Sequence, residues 1–234
     1  MSIAGRSSQF VVVVLAAFCG QLSAQNPQLR SRTSSRFPTV IYTSVLWSAD
    51  PASYSIAVDA AGTATYQSAP ESVGRTGAPY TLEFHVSDRT RRTIFNVVHG
   101  LDFFRGEVPV QPVSTVNDTA RTLTYHDLSF STQLAYSNSS NSDIEELTSI
   151  FEEVSETVEY GRRLAYLEQH DKSRIPAQLK ALKTDADRHF VRELQAIASV
   201  LKGLVADTGL DAESRRTAQA LLDRSSVSGQ LITP

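Results

Sequence analysis

Between Asn141 and Gln169 the apolar and small residues Ile144, Leu147, Phe151, Val154, Val158, Gly161 and Ala165 recur at alternating steps of three and four. That spacing puts them on one stripe of a helix. Ser142 followed by Glu145 reads as a capping box at its start. Asp143, Glu145 and Glu146 fall near the positive end of the helix dipole, and Arg162 and Arg163 towards the negative end. At 1.5 Å per residue such a helix runs roughly 40 Å. The face opposite the stripe changes along the way. Its first half carries Glu145, Glu152, Glu153, Glu156 and Glu159, and its second half Tyr160, Leu164 and Leu167. The pattern predicts carboxylates in water along the first half and apolar cover on both sides of the second. The helix is therefore expected to be a spine joining the N-terminal part of the chain to the C-terminal part.

Upstream the period is two. Thr39–Trp47 is β-branched and aromatic, and Asp50-Pro51 breaks it. Ser53–Asp59 and Thr63–Gln67 alternate on either side of Ala60-Ala61-Gly62, which predicts a hairpin with Gly62 free to take positive φ. After a loop over Pro70–Pro79, Tyr80, Leu82, Phe84 and Val86 alternate with Thr81, Glu83 and His85. Ser87 is a candidate cap for a shorter helix that carries Ile94, Val97, Val98 and Leu101 and ends near Gly100. Leu101–Phe104 is expected to pack back on the core and Gly106–Asp118 to form a long loop. Arg121–Asp127 and Phe130–Tyr136 read as two more strands.

Downstream of the spine the pattern predicts three helices. The first covers Arg174–Lys183, with Pro176 tolerated in its first turn. The second is capped by Thr184, carries Phe190, Leu194, Ile197, Leu201 and Leu204 on one face, and ends at Gly209 with Leu210 behind it. The third spans Asp211–Arg224 and leaves a frayed tail. The expected fold class is α+β: an antiparallel sheet with helices packed on one face, followed by an α-helical C-terminal extension. The expected divisions are 1–24, 25–38, 39–170, 171–224 and 225–234.

Composition narrows the picture. A chain of 234 residues with 41% hydrophobic content can bury a core. A formal net charge of −3 and the lack of a clustered basic stripe argue against general nucleic-acid binding. Met1–Ala24 has the layout of a secretory signal: Arg6, the apolar run Phe10–Phe18, then Gln21-Leu22-Ser23-Ala24 at a cleavage point. Periplasmic or extracellular export is the expectation, with an uncleaved anchor or a lipidated Cys19 as alternatives. Cys19 is the single cysteine, so cleavage after Ala24 leaves a mature chain without disulfides, thiolate zinc sites or a thiol nucleophile. Asn117-Asp118-Thr119 and Asn138-Ser139-Ser140 match glycosylation sequons, which matter only in a eukaryotic host.

The run Tyr54…Gly62…Tyr66, then Leu101-Asp102-Phe103-Phe104, Arg163-Leu164-Ala165-Tyr166-Leu167 and His170-Asp171, resembles uncharacterised secreted bacterial α+β proteins over Tyr54–Leu222. The resemblance implies export and a shared fold. It brings no activity, ligand or catalytic residue.

Candidate chemistry is sparse. The sequence holds no phosphate-cradling loop, dinucleotide fingerprint, His-Glu-x-x-His, calcium loop or Gly-x-Ser-x-Gly elbow. His85, His126 and Glu83 fall on the polar faces of their strands. If those strands are neighbours, the three could bind zinc or share a proton; otherwise they are separate solvent-facing side chains. The acidic half of the spine, Glu145, Glu152, Glu153, Glu156 and Glu159, is either a docking surface for a basic partner or a solvated face. Thr63, Thr65, Thr81, Thr122 and Thr124 make the outer sheet face rich in threonine. These features are those of an exported, non-catalytic protein that binds or scaffolds another macromolecule of the cell envelope, with no cofactor. The alternative is a hydrolytic or metal-dependent enzyme built on the histidines.

Overall fold

The computed structural model describes residues 37–46, 48–69, 80–115 and 118–229, with side chains described as far as Ser226. The expected signal, Cys19, most of the leader, the 70–79 loop and the end of the tail lie outside the described residues.

Six strands form an antiparallel sheet: β1 (Thr39–Val45), β2 (Ser53–Asp59), β3 (Thr63–Ser68), β4 (Tyr80–His85), β6 (Ala120–His126) and β7 (Ser131–Tyr136). Their order across the sheet is β4-β3-β2-β1-β6-β7. A two-residue strand β5 (Val110–Gln111), inside the expected loop, pairs with β8 (Asn138–Ser139). Registers such as Tyr42↔Ile56 and Tyr42↔Leu123 put alternate residues of neighbouring strands on one face. That face buries Val40, Tyr42, Ile56, Val58, Ala64, Tyr66, Leu123 and Tyr125. Gly62 turns the β2–β3 hairpin with φ 91°, as the hairpin spacing requires.

Helices α1 (Asp88–Gly100) and α2 (Ser142–His170) cover the buried face. Ser87 caps α1 by accepting the Thr90 N–H. The cap of α2 is Asn141 rather than Ser142: its side-chain oxygen accepts the N–H groups of Asp143 at 2.9 Å and Ile144 at 3.2 Å. The expected Ser142–Glu145 box therefore does not form, because an amide one position earlier already satisfies those donors.

Between α1 and β6 the backbone makes a turn in which Asp102, Phe103 and Phe104 have φ of 47°, 56° and 60°. Side chains carrying a Cβ resist this left-handed region by about 1–2 kcal/mol each. Packing offsets the cost: Phe104 is buried, and the Phe103 ring lies 4.8 Å from Tyr125 and 5.8 Å from Phe130. Arg105 stacks over both phenylalanine rings.

The C-terminal helices are α3 (Ile175–Asp187), α4 (Ala198–Ala206) and α5 (Ala212–Gly229). Four expectations are corrected here. Thr184 does not start a helix; its hydroxyl donates to Lys180 O inside α3, which continues because Leu179, Leu182 and Ala186 extend the buried stripe. Phe190 is 58% exposed, because the chain leaves the helix at Arg188 and resumes with a 3-10 turn over Leu194–Ile197. Gly209 does not close α4 in left-handed geometry; the Asp207 carboxylate accepts its N–H at 2.8 Å instead. The last helix also runs past Arg224 to Gly229.

Two cores result, and α2 serves both. Its residues from Ile144 to Val158 pack on the sheet and α1. Tyr160, Leu164 and Leu167 pack with Ile175, Leu179, Leu182, Ile197, Leu201, Leu204 and Leu221. Leu164 is fully buried although it lies opposite the main stripe.

Candidate functional site

The histidine trio is not assembled. His85 and Glu83 belong to β4 and His126 to β6, and β3, β2 and β1 lie between. Four strand spacings of about 4.8 Å separate them by roughly 19 Å, far beyond the reach of a shared ligand. Sequence alternation located the face correctly but carried no information about strand order. Among the described residues no group of three His, Cys, Asp or Glu side chains is placed to hold a metal ion.

The acidic face of α2 also needs correction. Glu145 and Glu146 are exposed as expected. Glu156 pairs with Arg163 at 2.7 Å. The remaining carboxylates turn towards other elements. Glu152 accepts from Tyr42 Oη at 3.1 Å and Arg121 Nε at 3.0 Å. Glu159, whose side chain is 4% exposed, accepts from Tyr66 Oη at 2.7 Å and Arg162 Nε at 2.6 Å. Glu153 is 19% exposed and holds Arg192 Nε at 2.8 Å. A helix this long is contacted from several directions, so a face that looks free in a single-stripe projection is partly enclosed.

Glu152 and Glu159 head a tyrosine seam. Tyr42 stacks on Phe151 with ring centroids 5.2 Å apart, and Tyr54 lies 6.1 Å from Tyr42 and 5.8 Å from Tyr66. Burial, with the nearby carboxylates adding to it, pushes the Tyr42 and Tyr66 hydroxyls far above the ordinary tyrosine range. Burial pushes Tyr54 up to about 12, helped by Glu152. These phenols stay protonated near neutral pH, where they donate hydrogen bonds and do not supply a nucleophile.

A concave site lies where the helical module meets α1. It is a cleft of about 1040 Å³ whose walls include Ser87, Asp88, Arg89, Thr90, Arg92, Glu153, His189, Arg192, Glu193, Asp223 and Arg224. Glu193 is its fixed point. The residue is 6% exposed and its carboxylate sits at the N-terminus of α1. It accepts from Ser87 N at 2.6 Å and Ser87 Oγ at 2.8 Å, and also from Thr90 Oγ1 and Gln195 Nε2. Unpaired helix N–H groups and the dipole favour an anion there. Glu193 and His189 both have φ of 62°. The donors around Glu193 offset what that backbone costs. One residue earlier, the Arg192 carbonyl and N–H meet the Thr157 hydroxyl at 2.6 and 3.0 Å. Arg89 and Arg92 stand exposed on the α1 wall.

Sequence reasoning missed Arg192 and Glu193 because it placed them inside a regular helix. Helical spacing put Phe190 and Leu194 on one face, whereas the structure exposes Phe190 and buries Leu194, and the run Arg188-His-Phe-Val-Arg-Glu193 carries no local sign of that break.

No protein-family model and no curated sequence matches the chain. Among the described residues, no helix is long and apolar enough to cross a membrane.

Proposed function

We propose that this is an exported, non-catalytic protein that binds or scaffolds another macromolecule of the cell envelope, and that the partner seats in the junction cleft. The kinship to secreted bacterial proteins suggested by Tyr54–Leu222 is part of the same proposal. One observation carries the reading: a concave surface built from both modules and held in one shape by the Glu193 carboxylate. Guanidinium groups and carboxylates both line it, and exposed Phe190 lies in the segment forming one wall. Arginine and aromatic side chains are favoured anchors in protein interfaces. Mixed charge on a rigid wall suits a protein segment carrying both signs. The outer acidic residues Glu145 and Glu146 belong to a solvated face in this reading.

The test is site-specific photo-crosslinking in the native host. A crosslinker at Arg89 should give one discrete adduct in the envelope fraction, and a crosslinker at Glu146 none. Equal adducts from both positions, or none from Arg89, would refute the cleft as the contact. Mass spectrometry of the native N-terminus tests export: a chain starting near Gln25 supports it, and a cytoplasmic chain starting at Met1 overturns it.

A further inference from the structure

The sheet has a second face. By the strand registers it presents Thr63, Thr65 and Gln67 on β3; Ser53, Ala57 and Asp59 on β2; and Ile41, Thr43 and Val45 on β1, while Ser55 and Thr39 point the same way but are buried between their neighbours. On β6 it presents Ala120, Thr122, Thr124 and His126, and both edge strands add short polar residues. None of these residues belongs to either apolar core, and among the described residues the helices pack on the opposite face.

Its charge distribution is ordered. The centre, from Thr65 through Ala57 and Ile41 to Thr124, is one cross-strand row with no ionisable side chain. The ionisable groups lie at the margin: Asp59 and His126 at one end of the strands, and Glu83 and His85 on edge strand β4. Depletion of charge at the centre with a polar rim is the pattern of a protein interface.

The dimensions decide the occupant. Six strands of six or seven residues, about 4.8 Å apart and rising about 3.4 Å per residue, present roughly 600 Å². Two such faces bury about 1,200 Å² together, the lower end of a specific interface. The side chains at the centre are short, so two faces can approach to the roughly 10 Å at which sheets pack. A two-fold axis needs a surface that complements itself, and one whose central row carries no charge meets its own copy there without juxtaposing like charges.

We infer that this face binds a second copy of the same chain, sheet against sheet, through the row Thr65, Ala57, Ile41 and Thr124. The inference is independent of the junction cleft, which lies on the helical side of the sheet.

Sedimentation velocity of the purified chain at micromolar concentrations tests it. The expected mass is twice that of one chain. Ala57→Arg should reduce it to that of a single chain while leaving the far-ultraviolet circular dichroism unchanged. Should Ala57→Arg fail to fold, Thr65→Lys and Thr124→Lys, both at partly open positions, should give the same dissociation. Gln219→Lys, on α5, should leave the dimer intact. A wild-type monomer at all concentrations overturns the inference, and so does a dimer that survives folded Ala57→Arg or both lysine variants. Loss of the Arg89 crosslink with the dimer intact would count against the cleft alone.

Discussion

Ile197 rests on Gly161 so closely that a Cβ built on the glycine would stand 2.3 Å from the Ile197 Cγ2. The helical module thereby reaches the backbone of α2 at the point where α2 passes from one core to the other. Alanine ordinarily stabilises a helix interior over glycine by about 1 kcal/mol. Here the steric cost dominates, and Gly161→Ala is expected to destabilise by roughly 1–3 kcal/mol. Ile197→Ala alone should cost about 2–5 kcal/mol through its cavity. The double variant should be more stable than the sum of the two losses, because each change relieves the other. Urea denaturation of the three variants measures the coupling.

The tyrosine seam should show itself in base. Tyr54 has its pKa raised by burial, first, and by Glu152, second, to about 12, against an unfolded value near 10. A raised folded pKa contributes stability that is complete below the unfolded value and is lost as pH rises through the folded one. Stability should therefore fall between about pH 10 and pH 12, with Tyr42 and Tyr66 extending the loss to higher pH. Tyr54→Phe should make the fall across that interval shallower without removing it, since Tyr42, Tyr66 and Tyr136 are raised from the same starting value. Denaturation midpoints along an alkaline series read this directly.

Glu159 and Tyr66 should differ in sensitivity. Tyr66→Phe removes one donor from a buried carboxylate that Arg162 still holds. It should cost about 1–3 kcal/mol. Glu159→Ala leaves the Arg162 charge half enclosed without its main partner, and should cost about 3–5 kcal/mol. Equal losses in chemical denaturation would mean that the ion pair adds nothing to the hydrogen bond.

The two faces of the spine do not divide into a wet and a dry side. Leu164→Ala should cost about 2–5 kcal/mol, since its side chain is fully enclosed. Glu153→Ala should cost roughly 1–3 kcal/mol, because Arg192 loses its carboxylate at the module junction. Glu146→Ala, in water, should stay within about ±0.5 kcal/mol. A silent Glu153→Ala would show that the junction does not depend on this pair.

The separated histidines carry a simple expectation. Purified protein should hold no stoichiometric zinc, and chelator treatment should leave its thermal midpoint unchanged. Bound zinc that disappears in His85→Ala would mean that ligands from elsewhere in the chain join His85.

Much of this architecture is local and therefore legible in the residues. The two-residue alternation of Tyr54, Ile56 and Val58, or of Phe84 about Glu83 and His85, comes from the pleat of a strand, and the stripe from Ile144 to Ala165 comes from 3.6 residues per turn. Gly62 marks its hairpin because few other residues accept φ near 91°. Leu164 could be assigned to a core because Tyr160 and Leu167 share its side. Other features depend on which elements meet, and periodicity is silent about that. Strand order separated His85 from His126. The return of residues 188–197 across α2 and α1 exposed Phe190, enclosed Glu153 and set the Glu193 carboxylate against the Ser87 N–H. Those residues were chosen by long-range contacts, over 106 positions in the case of Ser87 and Glu193, and a one-dimensional pattern contains no term for them.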